Sequence, residues 1–270
     1  MNRNLKLLIS SFIIFILLVV YPISSMAATT SLPDKETPIY LKIDKYFILY
    51  TKPSSPFLDQ QGRLLVPLRS IQDLMGGEVS YNHNSKTATV KILNNSFDIT
   101  IKSKIAYVNK EEVKLDTTPV LKKDAMFLPL RLFLDHTDIE YKFINDLKLL
   151  HITDNRVLAG KPFDAFDEND YTDGYIDGSF HLSAFKIVSL GIYTGISIKA
   201  QNLTGETVPE GKTDIQPLAY LNSGGFSVDS YIKPVNKKIP EIKKDQSFWI
   251  NKRIVSYDAA YIISVGRKAP

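Results

Sequence analysis

Four side chains have both the types and the spacing for chemistry: Tyr171, Asp173, Tyr175 and Asp177 fall at every second position. An extended backbone would put these two phenols and two carboxylates on one face. Phenol rings stack on sugars while carboxylates accept bonds from sugar hydroxyls, so the face suits a sugar or a peptide. Clustered carboxylate oxygens also suit calcium. The EF-hand pattern does not fit, because with Gly174 as the turn glycine the ligand positions fall on Asn169, Tyr171 and Asp173, and the closing glutamate position on Phe180. The reading that composition favours is a solvated acidic linker over 157–178, with these four residues as its one candidate binding face.

No other constellation carries chemistry. The four histidines, His83, His136, His151 and His181, have no paired ligand spacing, and each is expected to be a surface or structural residue. There is no Gly-rich phosphate loop and no Gly-x-Ser-x-Gly elbow. The absence of cysteine excludes disulfides, thiolate metal sites, a cysteine nucleophile and an acylated lipoprotein cysteine. No metal and no cofactor is expected. The lone Trp249, on a predicted strand over 247–250, is assigned to a core.

The elements that must position these residues begin with a phrase used twice. Gly62-Arg-Leu-Leu-Val-Pro67-Leu-Arg69 returns as Asp124-Ala-Met-Phe-Leu-Pro129-Leu-Arg131, with both prolines and both arginines 62 residues apart. A fixed offset of this kind marks duplicated supersecondary units. Proline disfavours helix at the residue before it, so Val66 and Leu128 should end strands, and Pro67 and Pro129 should lead into helices. Leu68, Ile71, Leu74 and Met75 follow a helical period that Gly76-Gly77 ends. Hairpins follow, with alternating Ala88, Val90, Ile92, Phe97, Ile99 and Ile101 and turns at Asn94-Asn95 and Asn109-Lys110. Arg69 and Arg131 are expected to bond neighbouring carbonyls and lock the strand-to-helix corner.

On Gly62-Arg63, Val66-Pro67-Leu68-Arg69, Leu74, Gly76 and Tyr81, with Leu128-Pro129-Leu130-Arg131 and Tyr141, residues 38–156 resemble the copper amine oxidase N-terminal (stalk) domain family. That family occurs in exported proteins of spore-forming Gram-positive bacteria. The second copy departs from its pattern with Thr137-Asp138 where a helix-ending glycine is expected. The family name implies an oxidase, which needs a Thr-x-x-Asn-Tyr-Asp/Glu cofactor motif and three histidine ligands from a separate catalytic domain. The nearest string, Glu168-Asn169-Asp170-Tyr171, lacks that order.

Beyond 157, strand-like runs over 179–190, 192–201, 215–221, 226–232, 247–250 and 254–265 predict an antiparallel β-sandwich over 179–270. The whole is therefore expected to be mainly β (α+β), with one short helix per repeat. Arg3, Lys6 and the apolar run 7–20 before Ser25-Met26-Ala27 read as a signal peptide over 1–27, which sets the protein in the cell envelope or outside it. A cysteine-free exported chain rich in Lys, Asn and Ile suits a Gram-positive bacterium.

The net charge of +4 includes Arg3 and Lys6, which leaves no global basic field for nucleic acid. Charge is segregated all the same: 160–180 carries six acids against Lys161, and 229–270 carries nine Lys or Arg against four acids. These are read as two solvated faces, or else as faces that meet each other or a wall polymer. The expected role is a non-catalytic envelope scaffold or binding module, whose partners are wall polymer or another exported protein. A membrane enters only if the leader is uncleaved. The competing expectations are a carboxylate-dependent wall hydrolase and an inhibitor or sensor of another exported protein.

Overall fold

The two proline phrases pair with each other. Strands Leu64–Pro67 and Ala125–Pro129 run antiparallel, with Val66 opposite Leu128, flanked by Leu65 opposite Pro129 and Pro67 opposite Phe127. The 62-residue offset maps each flanking pair onto the other, so the two copies are related by a local two-fold axis through Val66 and Leu128. Pro67 and Pro129, both extended, turn the chain into the helices Leu68–Met75 and Leu130–Leu134. Gly76 closes the first in the left-handed region at φ 69°, a conformation that favours glycine. The second helix lacks that glycine and is shorter; the buried Thr137 hydroxyl donates to the Phe133 carbonyl at 2.7 Å in its place.

The computed structural model describes residues 35–190, 193–228, 239–254 and 258–270. The predicted leader, residues 229–232 of the predicted strand 226–232, and the lysine-rich run 233–238 lie outside them. With 50% strand against 12% helix, the fold is mainly β, in several antiparallel sheets with few short helices.

After the first helix, Glu78–Asn82, Thr87–Ile92, Asn95–Thr100, Ile105–Val108 and Glu111–Lys114 form a five-stranded antiparallel meander. Its alternating Ala88, Val90, Phe97, Ile99 and Ala106 are buried against both helices, with Phe97 and Phe133 ring centroids 4.8 Å apart. The second copy's hairpin, Tyr141–Ile144 and Leu149–Ile152, instead joins Leu41–Ile43 in parallel, and Leu41–Ile43 pairs with Tyr46–Thr51.

That sheet does not stop at the end of the repeats. The last strand, Ala259–Lys268, lies between Tyr46–Thr51 and Thr213–Leu221. It is buried at nearly every position, as a strand with two covered faces must be. A four-stranded sheet of Thr37–Pro38, Phe180–Leu190, Tyr193–Asn202 and Ser247–Ile254 faces it across Phe47, Leu49, Phe180, Ile198, Ile215 and Ile262. The sandwich expected over 179–270 thus borrows its second layer from the repeats. Residues 35–270 belong to one unit, and strand pairing crosses the sequence boundary drawn at 157.

The acidic stretch is not simply a linker. Lys161–Asp167 is a helix, with Pro162 in its first turn and Pro162, Phe163, Ala165 and Phe166 buried. Its acids Asp164 and Asp167 stay at the surface, and they hide from composition the aromatic pair spaced i, i+3. Gly160 makes the docking possible, because a Cβ there would stand 2.1 Å from the Asp73 carbonyl oxygen.

Candidate functional site

Tyr46 is where the acidic segment fastens to the sheet. Its ring packs against Phe163 (centroids 4.8 Å) and Phe166 (5.4 Å), and its hydroxyl donates to Asp167. Lys45 Nζ lies 2.9 Å from the Asp167 carboxylate and 3.7 Å from Asp170. From the last strand, Arg267 is 3% exposed; it reaches Asp170 at 2.5 Å and Asp214 at 2.6 Å, and its guanidinium lies over the rings of Tyr175 and Phe166. Burial alone would raise the Asp170 carboxyl. Hydrogen bonds from Arg267 and Thr172, with the charges of Arg267 and Lys45, hold it below its ordinary value.

The four residues singled out by spacing do not share a face. The chain turns at Thr172–Gly174: Gly174 has φ 78°, and the Tyr175 N–H donates to the Thr172 carbonyl at 3.4 Å. Only Ile176–Asp177 is strand, paired with Lys268 and Arg267. Tyr171 is 89% exposed, whereas Asp173, Tyr175 and Asp177 line a polar cavity of about 290 Å³ with Lys45, Asp170 and Arg267. Partial desolvation pushes the Asp177 carboxyl up, against the opposing pull of Lys45 and Arg267. Two cations already sit among the carboxylates, and no group of three metal-capable side chains converges among the described residues.

A larger groove, about 750 Å³, opens elsewhere on the same unit. Tyr40, Tyr50, Phe57 and Phe185 give it aromatic walls; Lys52 pairs with Asp258 at 3.5 Å, and Lys122 and Lys123 add positive charge. Lys122 Nζ stands 3.8 Å from the Phe57 ring centroid. Burial lowers the Lys122 ammonium's pKa, helped by repulsion from Lys123 and Lys35. Sequence reasoning missed this site because its residues come from six separated stretches with no common period. The one local signal was the pair Lys122-Lys123, where the strand Val120–Lys122 meets a hairpin turn.

The repeat arginines do something other than lock a corner. Arg69 reaches Asp73 at 3.9 Å and Arg131 reaches Asp135 at 3.0 Å, both one helical turn away, and both arginine side chains are mostly exposed. The acids prove the better anchors. Asp73 accepts the Tyr261 hydroxyl at 2.6 Å and Asp135 accepts the Tyr141 hydroxyl at 2.7 Å.

Among the histidines, His83 lies edge-on to Tyr81 and is exposed, His136 is exposed, and the His151 ring bonds the Asp44 carbonyl at 2.8 Å. His181 is 3% exposed, edge-on to Phe47, with no partner for Nδ1, and burial beside Lys42 lowers its pKa to about 4. Trp249 corrects the sequence reading: it is 40% exposed, on the outer side of its strand, while its neighbour Ile250 faces the core.

The architecture is that of a duplicated strand, helix and hairpin unit running on into a sandwich. Residues 43–152 match the copper amine oxidase N-terminal domain, so the family resemblance holds for that segment of the chain. The match covers both copies of the phrase and ends before the helix Lys161–Asp167. No curated protein matches the chain.

Proposed function

We propose that this chain is an exported, non-catalytic module of a bacterial cell envelope that holds an extended anionic polymer. The groove between Tyr50, Phe57, Lys122 and Lys123 carries the reading. It is open to solvent rather than closed around a small molecule, and it joins ring faces to an ammonium group at Phe57 and Lys122. A polymer of alternating sugar or polyol units and phosphates presents the complementary surface. The predicted leader and the absence of cysteine support export. Two of the polar cavity's carboxylates, Asp167 and Asp170, are paired to Lys45 and Arg267, which suits fastening better than acid or base chemistry.

Sedimentation of residues 28–270 with insoluble peptidoglycan, with and without teichoic acid, over a salt series tests the proposal. Binding should require the teichoic acid and weaken as salt rises. The double variant Lys122→Ala/Lys123→Ala should bind on the order of tenfold more weakly, the cost of losing charge-assisted contacts. Unchanged binding by that variant would remove the groove from the argument. Turnover of wall material that Asp173→Asn or Asp177→Asn abolishes would replace the proposal with the hydrolase reading.

A further inference from the structure

One edge of the largest sheet is open. The hairpin strand Tyr141–Ile144 pairs with Leu149–Ile152, and no strand lies on its far side among the described residues. The Thr153 N–H donates to the Glu140 carbonyl opposite it at 3.0 Å, so by the alternation of an antiparallel ladder Lys142 and Ile144 also turn their backbone groups inward. Leu150, opposite Phe143, accordingly sends its N–H the other way, to the Tyr40 carbonyl at 2.8 Å. The N–H and C=O groups of Tyr141 and Phe143 therefore point away from the sheet, and no bond takes them up among the described residues. The side chains on the two faces of this edge differ. Tyr141 and Phe143, both exposed, line a largely apolar cavity of about 330 Å³ with Leu64, Leu134 and Leu150. Arg63 and Arg131 at the same cavity are held by Asp59 and Asp135. Lys142 faces the opposite way, in one row with His151 and Lys42, and has no ion pair among the described residues.

We infer that this edge accepts a segment of another protein as an added β-strand, with apolar side chains over the cavity and acidic ones beside Lys142. In strand addition the main-chain bonds give affinity and the pockets for alternate side chains give specificity, and this edge has both. A residue placed opposite Phe143 carries its Cβ about 5 Å from that of Phe143, on the cavity side. The cavity is at the small end of ligand sites, with room for one or two apolar side chains. On the other face the unpaired ammonium of Lys142 favours a carboxylate across from it. The same lysine argues against a second copy of this chain as the occupant, since a lysine on a short edge strand discourages pairing between copies. The cavity shares Tyr40 and Leu58 with the groove described above but neither Lys122 nor Lys123, so the inference does not rest on the polymer reading.

A phage library of random linear peptides, selected on residues 28–270, should yield binders in which apolar and acidic residues alternate. By fluorescence anisotropy, such a peptide should bind Phe143→Ala and Lys142→Glu on the order of tenfold more weakly each, while both variants keep their thermal midpoints because the side chains are exposed. Hydrogen exchange by NMR reads the edge itself. The Tyr141 and Phe143 amides should exchange fast in the free protein and slowly in the complex, whereas those of Lys142 and Ile144 stay slow in both. Unprotected Tyr141 and Phe143 amides in the complex would overturn strand addition, and binders without the alternation would overturn the roles of the cavity and of Lys142. A library that yields no binder would overturn the site itself. Protection of the two amides without peptide, together with a dimer in sedimentation velocity, would assign the edge to a second copy and overturn the inference. The groove variant Lys122→Ala/Lys123→Ala should leave peptide binding unchanged, which keeps the two sites separable.

Discussion

Acidification should unfold this protein sooner than its carboxylates alone require, because of His181. In the folded state the imidazole is buried with Nδ1 unpartnered, and its pKa falls to about 4, whereas an unfolded histidine titrates near 6.5. The folded form therefore favours the neutral ring. Stability is fully present above the unfolded value and is lost as pH falls through the window from about 6.5 to about 4. The full loss is about 3 kcal/mol, of which about 2 kcal/mol has gone by roughly pH 5. In a unit of this size that corresponds to a fall of about 4–8 °C in the midpoint.

Urea unfolding of the wild type and of His181→Gln at pH 7 and pH 5 isolates the effect, since glutamine stays neutral throughout. His151, whose pKa burial also lowers, contributes equally to both proteins and cancels. The wild type should lose about 2 kcal/mol more than the variant between the two pH values. Equal losses, or an imidazole that titrates near 6.5 by NMR in the folded protein, would refute the reasoning. The carboxylates with depressed values, Asp59 and Asp154 at about 2, lose their contribution only below that window.

Four further substitutions probe the way the segments are fastened. Arg267→Leu strands two partly buried carboxylates, Asp170 and Asp214, and should lower the unfolding free energy by about 3 kcal/mol in urea titration. Gly160→Ala drives a methyl into the Asp73 carbonyl and should cost about 2 kcal/mol or more, with faster proteolysis near residue 160 as the local readout. Tyr261→Phe removes the buried hydroxyl that donates to Asp73 and should cost about 1–2 kcal/mol, whereas Arg69→Ala, at an exposed ion pair, should change stability by less than about 1 kcal/mol. Thermal melts of the two variants side by side decide whether the tyrosine or the arginine is the anchor.

The repeats were legible because their signals are local. Proline, the helical period and the Gly76 stop each constrain a few successive residues, and the asparagine turns behave as expected, with Asn94, Asn109 and Lys110 at positive φ. Long-range pairing was not legible. The pattern of Ala259–Lys268 marks a strand but does not say that Tyr46–Thr51 receives it, since many edges satisfy the same alternation. The helix Lys161–Asp167 was hidden because seven residues hold too little of a period, and its acids outweigh Phe163 and Phe166 in composition. The candidate face failed at a backbone torsion: a turn at Gly174, with φ 78°, leaves Tyr171 exposed while Asp173, Tyr175 and Asp177 converge. Trp249 was misassigned because residue type suggests burial but does not fix which side of a strand faces the core.

The place of the last strand also bears on the order in which the molecule is made. A chain synthesised from its N-terminus produces Tyr46–Thr51 early, yet the edge beside it stays open until residues 259–268 emerge. Thr213–Leu221 waits for the same strand. Completion of the central sheet is thus deferred until residues 259–268 have been made, and the closing contact joins residues about 210 positions apart, as with Thr51 and Tyr261, which makes closure slow. Until then a nascent molecule carries unsatisfied strand edges exposed to chaperones or proteases.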